Sequence, residues 1–176
     1  MNLVEYQTLS KRTMPFNGEP ANQVEFEHML GNYAMGLVGE WFELQSEIDK
    51  VNDDNVKQSV PQLNKEVAHV LHYSLGILEM LDEKVNYSKI GHVLEWHETD
   101  EHLGNILEIP KKHIYHRHEL DASKLINSTY QVIAFLYDNF GTRFKDILQM
   151  NIDKLALRYP DEFSTADSIA RKDVQG

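Results

Sequence analysis

Cysteine is absent from the chain of 176 residues, so disulfides and thiolate chemistry are excluded, a composition that fits a reducing, cytoplasmic setting. No apolar run approaches the eighteen or so positions that cross a membrane. The opening MNLVEYQTLSKRT has no apolar stretch behind its charges, which argues against a signal peptide. Basic residues are few: 17 Lys and Arg against 28 Asp and Glu leave a net charge of −11. That balance argues against non-specific binding to nucleic acid or to an anionic membrane. A protein this acidic needs a cation if it is to handle phosphates. What remains, with 41% apolar residues, is enough to build one domain around a core.

The apolar residues recur at helical spacing, and no stretch alternates as a strand does. Phe26, Met29, Leu30, Tyr33, Leu37, Trp41, Leu44 and Ile48 mark a helix from about 24 to 51, which VNDDN interrupts. Leu63, Val67, Val70, Leu71, Leu75 and Leu78 mark a second over about 56–81. Further helices are read at 87–96, at 100–108 before Pro110, at 122–140 up to Gly141, and at 143–159. Residues 1–20 read as a short segment and a loop, KKHIYHRHELD as a connection, and 160–176 as a surface tail. The expected fold is an all-α helical bundle with a four-helix core, in a single domain over 1–176.

Two acidic sets dominate the first two helices. At about 100° per residue, Glu40, Glu43 and Glu47 share an arc of ~60°, and so do Glu66, His69 and Tyr73. If the two faces meet, three carboxylates and an imidazole converge. Uncompensated carboxylates would repel or protonate, and a divalent cation removes the conflict. Glu40 and Glu43 lie in an otherwise apolar, glycine-spaced stretch, which favours ligation over a solvated face. Glu47 is either a further ligand or an exposed residue. Trp41 either stacks on a base or packs in the core. His113, His116 and His118 have Lys111, Lys112 and Arg117 beside them, and these charges oppose cation binding. Lys154 and Arg158, four apart on one face, can act together on an anion.

A faint repeat runs through the chain. Moving it by 62 places (40 to 102) lays Glu40, Glu43, Glu66 and His69 on His102, Asn105, Ser128 and Gln131. Apolar positions survive and the acids do not. Either an internal duplication, about 25–85 and 88–150, has kept the chemistry in its first half, or helices of similar period align by chance.

GLVGE-x-x-E, the later E-x-x-H and the run NIDKLALRYPDEFS together resemble the MazG-like all-α nucleoside triphosphate pyrophosphohydrolases. That superfamily also includes the dimeric dUTPases and dCTP pyrophosphatases. EYQTLSKRT and KKHIYHRHELD look similar to stand-alone phage and bacterial members. The likeness covers most of the chain, with a poor match at about 80–107. It implies hydrolysis of an NTP or dNTP to the monophosphate and pyrophosphate, with magnesium held by carboxylates, in a cytoplasmic homo-oligomer such as a dimer. By position, Glu40, Glu43 and Glu66 match family metal ligands, Tyr73 a tyrosine of the nucleotide pocket, and Asn151, Lys154 and Arg158 the C-terminal motif. At the fourth ligand position His69 stands where the family has aspartate. Magnesium prefers oxygen, whereas manganese, iron or zinc tolerates nitrogen. His69 is therefore a ligand to a softer metal, a base or phosphate contact, or the mark of a relative that binds a nucleotide or a protein partner without hydrolysis.

Overall fold

A computed structural model of the chain describes residues 1–52, 56–93 and 95–170. Helix α1 covers Leu3–Ser10, α2 Gln23–Asn52, α3 Val56–Met80, α4 Asp100–His116, α5 Ala122–Phe140, α6 Phe144–Arg158 and α7 Thr165–Ala170. No strand occurs among the described residues, as the periodicity predicts. Helix α2 packs on α3 and α4, and α5 packs on α3 and α4, which closes a four-helix core. Helices α1 and α6 lie against α3 and against each other. Among the described residues no helix is long and apolar enough to cross a membrane.

One contiguous apolar cluster runs through α1 to α6, including Tyr6, Leu37, Leu44, Leu71, Leu75, Ile106, Ile133 and Leu148. Each such side chain contributes about 1.5–3 kcal/mol by leaving water. Trp41 belongs to this core: it is fully buried and meets Trp96 and Phe135 edge-on at centroid distances of 4.7 and 5.1 Å. Its place is packing, and it does not line the pocket described below.

Local signals fix the helix ends. Asn2 and Glu5 form a reciprocal capping box on α1, with both bonds at 2.9 Å. Asp121 caps α5 by accepting the Lys124 N–H at 3.0 Å. The close approach of α2 and α3 has a mutual cause, because the Tyr73 ring lies over Gly36 and the Tyr33 ring over Gly76.

Two expectations need correction. The helix read at 87–96 does not form. Its backbone makes isolated 3₁₀ turns at Tyr87–Lys89 and Trp96–Glu98. Side chains satisfy this stretch instead: Asn86 accepts the Ser88 N–H, and Asp138 accepts the Val93 N–H at 2.8 Å. The helix expected to stop before Pro110 continues to His116, so most of KKHIYHRHELD is helical. Proline removes one donor from that ladder, but burial of Leu103, Ile106 and Pro110 keeps the segment seated. The stretch after Pro160 runs over the surface, and the Phe163 N–H, which donates to the Arg12 carbonyl at 3.0 Å, fixes it there ahead of α7. The interruption read at VNDDN falls on residues 53–55, and the last tail positions on 171–176; both lie outside the described residues.

Two features bear on the repeat. The shift carries α3 onto α5, while the first half of α2 has only the loops before α4 as its counterpart. The shifted positions also meet: His102 Nδ1 and Asn105 Nδ2 both lie within 3.4 Å of Ser128 Oγ.

Candidate functional site

A pocket of about 510 Å³ opens between α2, α3 and α6, a volume within the range of small-molecule sites. Each helix supplies one face of its own periodicity. From α2 come Tyr33, Glu40 and Glu43; from α3, Lys65, His69, His72 and Tyr73; from α6, Asn151, Lys154 and Arg158.

At one end Glu40 and His69 of the lining meet the buried Glu66 behind them, and each of the three brings one ligand atom within 4.8 Å of the others. His69 Nδ1 is 2.9 Å from Glu40 Oε2 and 3.2 Å from Glu66 Oε2. Its other nitrogen, Nε2, is 3.1 Å from Lys154 Nζ. An ammonium can only donate, so Nε2 accepts from it and Nδ1 carries the hydrogen directed at Glu40. Burial works to raise the Glu40 carboxyl, but the hydrogen bond from His69, with help from Glu66 and Lys65, holds it below its usual range.

Glu66 is fully buried. Its Oε1 accepts from Gln62 Nε2 and from Lys65 Nζ, the latter at 3.1 Å. Its Oε2 has no hydrogen bond of acceptable geometry, although His69 Nδ1 is within ion-pair range. A buried, under-satisfied carboxylate oxygen facing a second carboxylate and an imidazole fits a divalent cation. Two oxygens and one nitrogen suit manganese better than magnesium, and Nδ1 becomes that nitrogen once its hydrogen is displaced or moves to Nε2, which ends the bond from Lys154.

Of the four expected ligands, then, Glu40, Glu66 and His69 come together. Glu43 lines the same pocket from an exposed position and stands outside that cluster. Glu47, its side chain mostly buried, pairs with the exposed Lys50 and stands outside the cluster. The expected substrate contacts Tyr73, Asn151, Lys154 and Arg158 all line the pocket. Asn151 is buried and donates its amide to the Tyr6 hydroxyl, so it braces the wall. The Arg158 guanidinium sits 5.9 Å from the Tyr159 ring centroid. Burial raises the Tyr73 hydroxyl, and the Glu40 charge adds to the effect. Burial likewise pushes the His72 imidazole down to about 4. His113 lies away from the pocket, with Nδ1 donating to the His118 carbonyl at 2.8 Å while Arg117 pairs with Glu27.

Sequence reasoning missed Lys65, Tyr33, Tyr159, Phe163 and Ser168 as pocket residues. Tyr33 was within reach of it, because it precedes Glu40 by two helical turns on the same face. Tyr159 and Phe163 sit inside the RYPDEFS run but in a stretch whose charges read as solvent-facing.

Fold and site together describe an all-α bundle with a carboxylate–imidazole cluster at one end of a cleft. No family model matches the chain, and neither a curated protein nor a solved structure matches it significantly.

Proposed function

We propose that the protein is a metal-dependent nucleoside triphosphate pyrophosphohydrolase, as the resemblance to MazG-like enzymes implies. Water would cleave the bond between the α- and β-phosphates of an NTP or dNTP, giving the monophosphate and pyrophosphate. One observation carries the reading: Glu40 and His69, with the buried Glu66 directly behind them, line one cleft with Lys65, Lys154 and Arg158. A site with anions at its base and cations on its walls can hold a metal-bound polyphosphate, which neither group alone could do in so acidic a chain.

Glu40, Glu66 and His69 would hold the divalent cation, manganese or magnesium. When bound, that cation supplies charge neutralisation and makes a coordinated water more acidic. Glu43, exposed at the rim, is free of the cluster and is placed to take a proton from attacking water. Lys154 and Arg158 donate to phosphate oxygens and offset charge on the departing pyrophosphate. Tyr73, its hydroxyl kept protonated, offers a donor between the acids and the rest of the cleft.

A second reading draws on His69, both of whose nitrogens are engaged, by Glu40 and by Lys154. In this reading the cleft binds a nucleotide through its cations without turning it over. Pyrophosphate release from a panel of NTPs and dNTPs, with magnesium and separately with manganese, separates the two. Release that falls at least a hundredfold in Glu66→Gln supports hydrolysis at this centre. Release from no nucleotide, together with tight nucleotide binding, overturns it in favour of the binder.

A further inference from the structure

The cleft also has an aromatic side, which the Arg158 guanidinium joins to the phosphate-facing cations. Two helical turns along α2 from Glu40, about 11 Å away by helix pitch, Tyr33 turns its ring toward Tyr73, with centroids 5.3 Å apart. Opposite them Tyr159 and Phe163 pack ring to ring at 5.3 Å with a tilt of 40°. Tyr33, Tyr73, Tyr159 and Phe163 all line this one cleft. The same cleft is lined by Asn32 and Ser168, uncharged side chains that donate and accept hydrogen bonds, and by Thr13, whose hydroxyl donates to the Ser10 carbonyl at 2.7 Å and can still accept.

This side is built where the two ends of the described chain meet. The Phe163 N–H donates to the Arg12 carbonyl at 3.0 Å, and Asn17 Nδ2 donates to Glu162 Oε2 at 2.9 Å. Ser164 accepts the Asp167 N–H at 3.0 Å, which starts α7 and brings Ser168 to the wall. On the facing side Phe16, Asn17 and Gly18 are all left-handed, with φ of 56°, 53° and 71°. Two consecutive non-glycine residues in that region are costly and persist only where surrounding contacts over-determine them, which is common at ligand-gripping segments.

A planar face between rings with uncharged donors and acceptors at its edge is the chemistry that recognises a nucleobase. We infer that the clasp of residues 159–168 against 12–17 is the base-binding wall of the cleft. Phe163 stacks on the base, and Asn32, Thr13 and Ser168 address its edge. The assignment rests on the charged end holding the phosphates. It makes the C-terminal stretch a determinant of which nucleotide enters, where the sequence showed only surface.

Saturation-transfer NMR on the full chain with each common nucleoside 5′-monophosphate tests this without requiring catalysis or metal. The variants are Phe163→Ala and Phe163→Leu, the second of which keeps bulk and loses the ring; circular dichroism checks that both stay folded. The base protons of at least one nucleotide should receive saturation from the wild type, and Kd should rise about tenfold or more in both variants, in line with loss of a stacking partner. In the hydrolysis assay KM should rise by a similar factor while kcat stays within about twofold. Base saturation unchanged in both variants, recovered in Phe163→Leu, or missing from the wild type overturns the base wall even if pyrophosphate is released. Base saturation lost in both variants while the wild type releases no pyrophosphate upholds the wall and overturns hydrolysis.

Discussion

Tyr73 lies so close over Gly36 that a Cβ added there would stand 2.4 Å from its ring Cε1. The relation is mirrored by Tyr33, whose Cε1 would be 2.1 Å from a Cβ at Gly76. Two tyrosines of the cleft are thus set in place by glycines on the opposite helix. The mirrored pairs differ in one respect: Tyr33 is buried, whereas Tyr73 is only half-buried and can swing into the cleft.

Gly76→Ala should therefore be the more destabilising change, by about 1–3 kcal/mol as expected for overpacking. Gly36→Ala should cost less stability and more ligand binding, because Tyr73 yields toward the pocket. Urea unfolding beside nucleotide titration separates the two effects.

Gly39 gives the opposite case. It is exposed on the same helix, and an added Cβ would meet nothing within 4 Å. Gly39→Ala should stabilise the fold by about 0.5–1 kcal/mol through the lower entropy of the unfolded chain. The urea midpoint should rise with an unchanged slope.

His72 supplies a pH dependence. Burial lowers its pKa in the folded state from the ordinary 6.5 to about 4. The unfolded chain therefore binds the proton first. Stability is unaffected by this group above pH 6.5 and falls as pH drops through the window from 6.5 to 4, by up to about 3 kcal/mol. His72→Gln should flatten that part of the curve, read as denaturation midpoints at stepped pH.

Manganese should raise the melting temperature of the wild type, and the gain should follow mass action, about 2.7 kcal/mol at a hundred times Kd. Glu66→Gln should lose most of that gain, since the buried oxygen it neutralises faces Glu40 and His69. Glu47→Gln, altered at an ion pair outside the cluster, should keep it.

The bundle was legible because Leu, Val and Ile at 3.6-residue spacing report burial directly. The boundaries failed where another force outweighs the local signal. Pro110 reads as a stop, yet the apolar face of α4 carries the helix past it. At 87–96 a helix loses to Asn86 and Asp138, which serve as caps for backbone that a helix would otherwise have satisfied. In the site, spacing placed Glu40, Glu66 and His69 together because residues three apart on a helix face a neighbour jointly. The same 60° that joins Glu40 to Glu43 also carries Glu43 outward to solvent. Tyr159 and Phe163 were beyond reach, because the contacts that turn them inward come from Arg12 and Asn17, far away in sequence.

The joining of residues 12–17 to 162–163 has a consequence for biosynthesis. A ribosome delivers the helices of the core long before it delivers the residues that close the cleft. A nascent chain can bury most of its apolar surface and still have no complete cleft until α6 and the clasp emerge. Removal of the stretch beyond Tyr159 by a protease would return it to that unfinished condition with the core cluster intact.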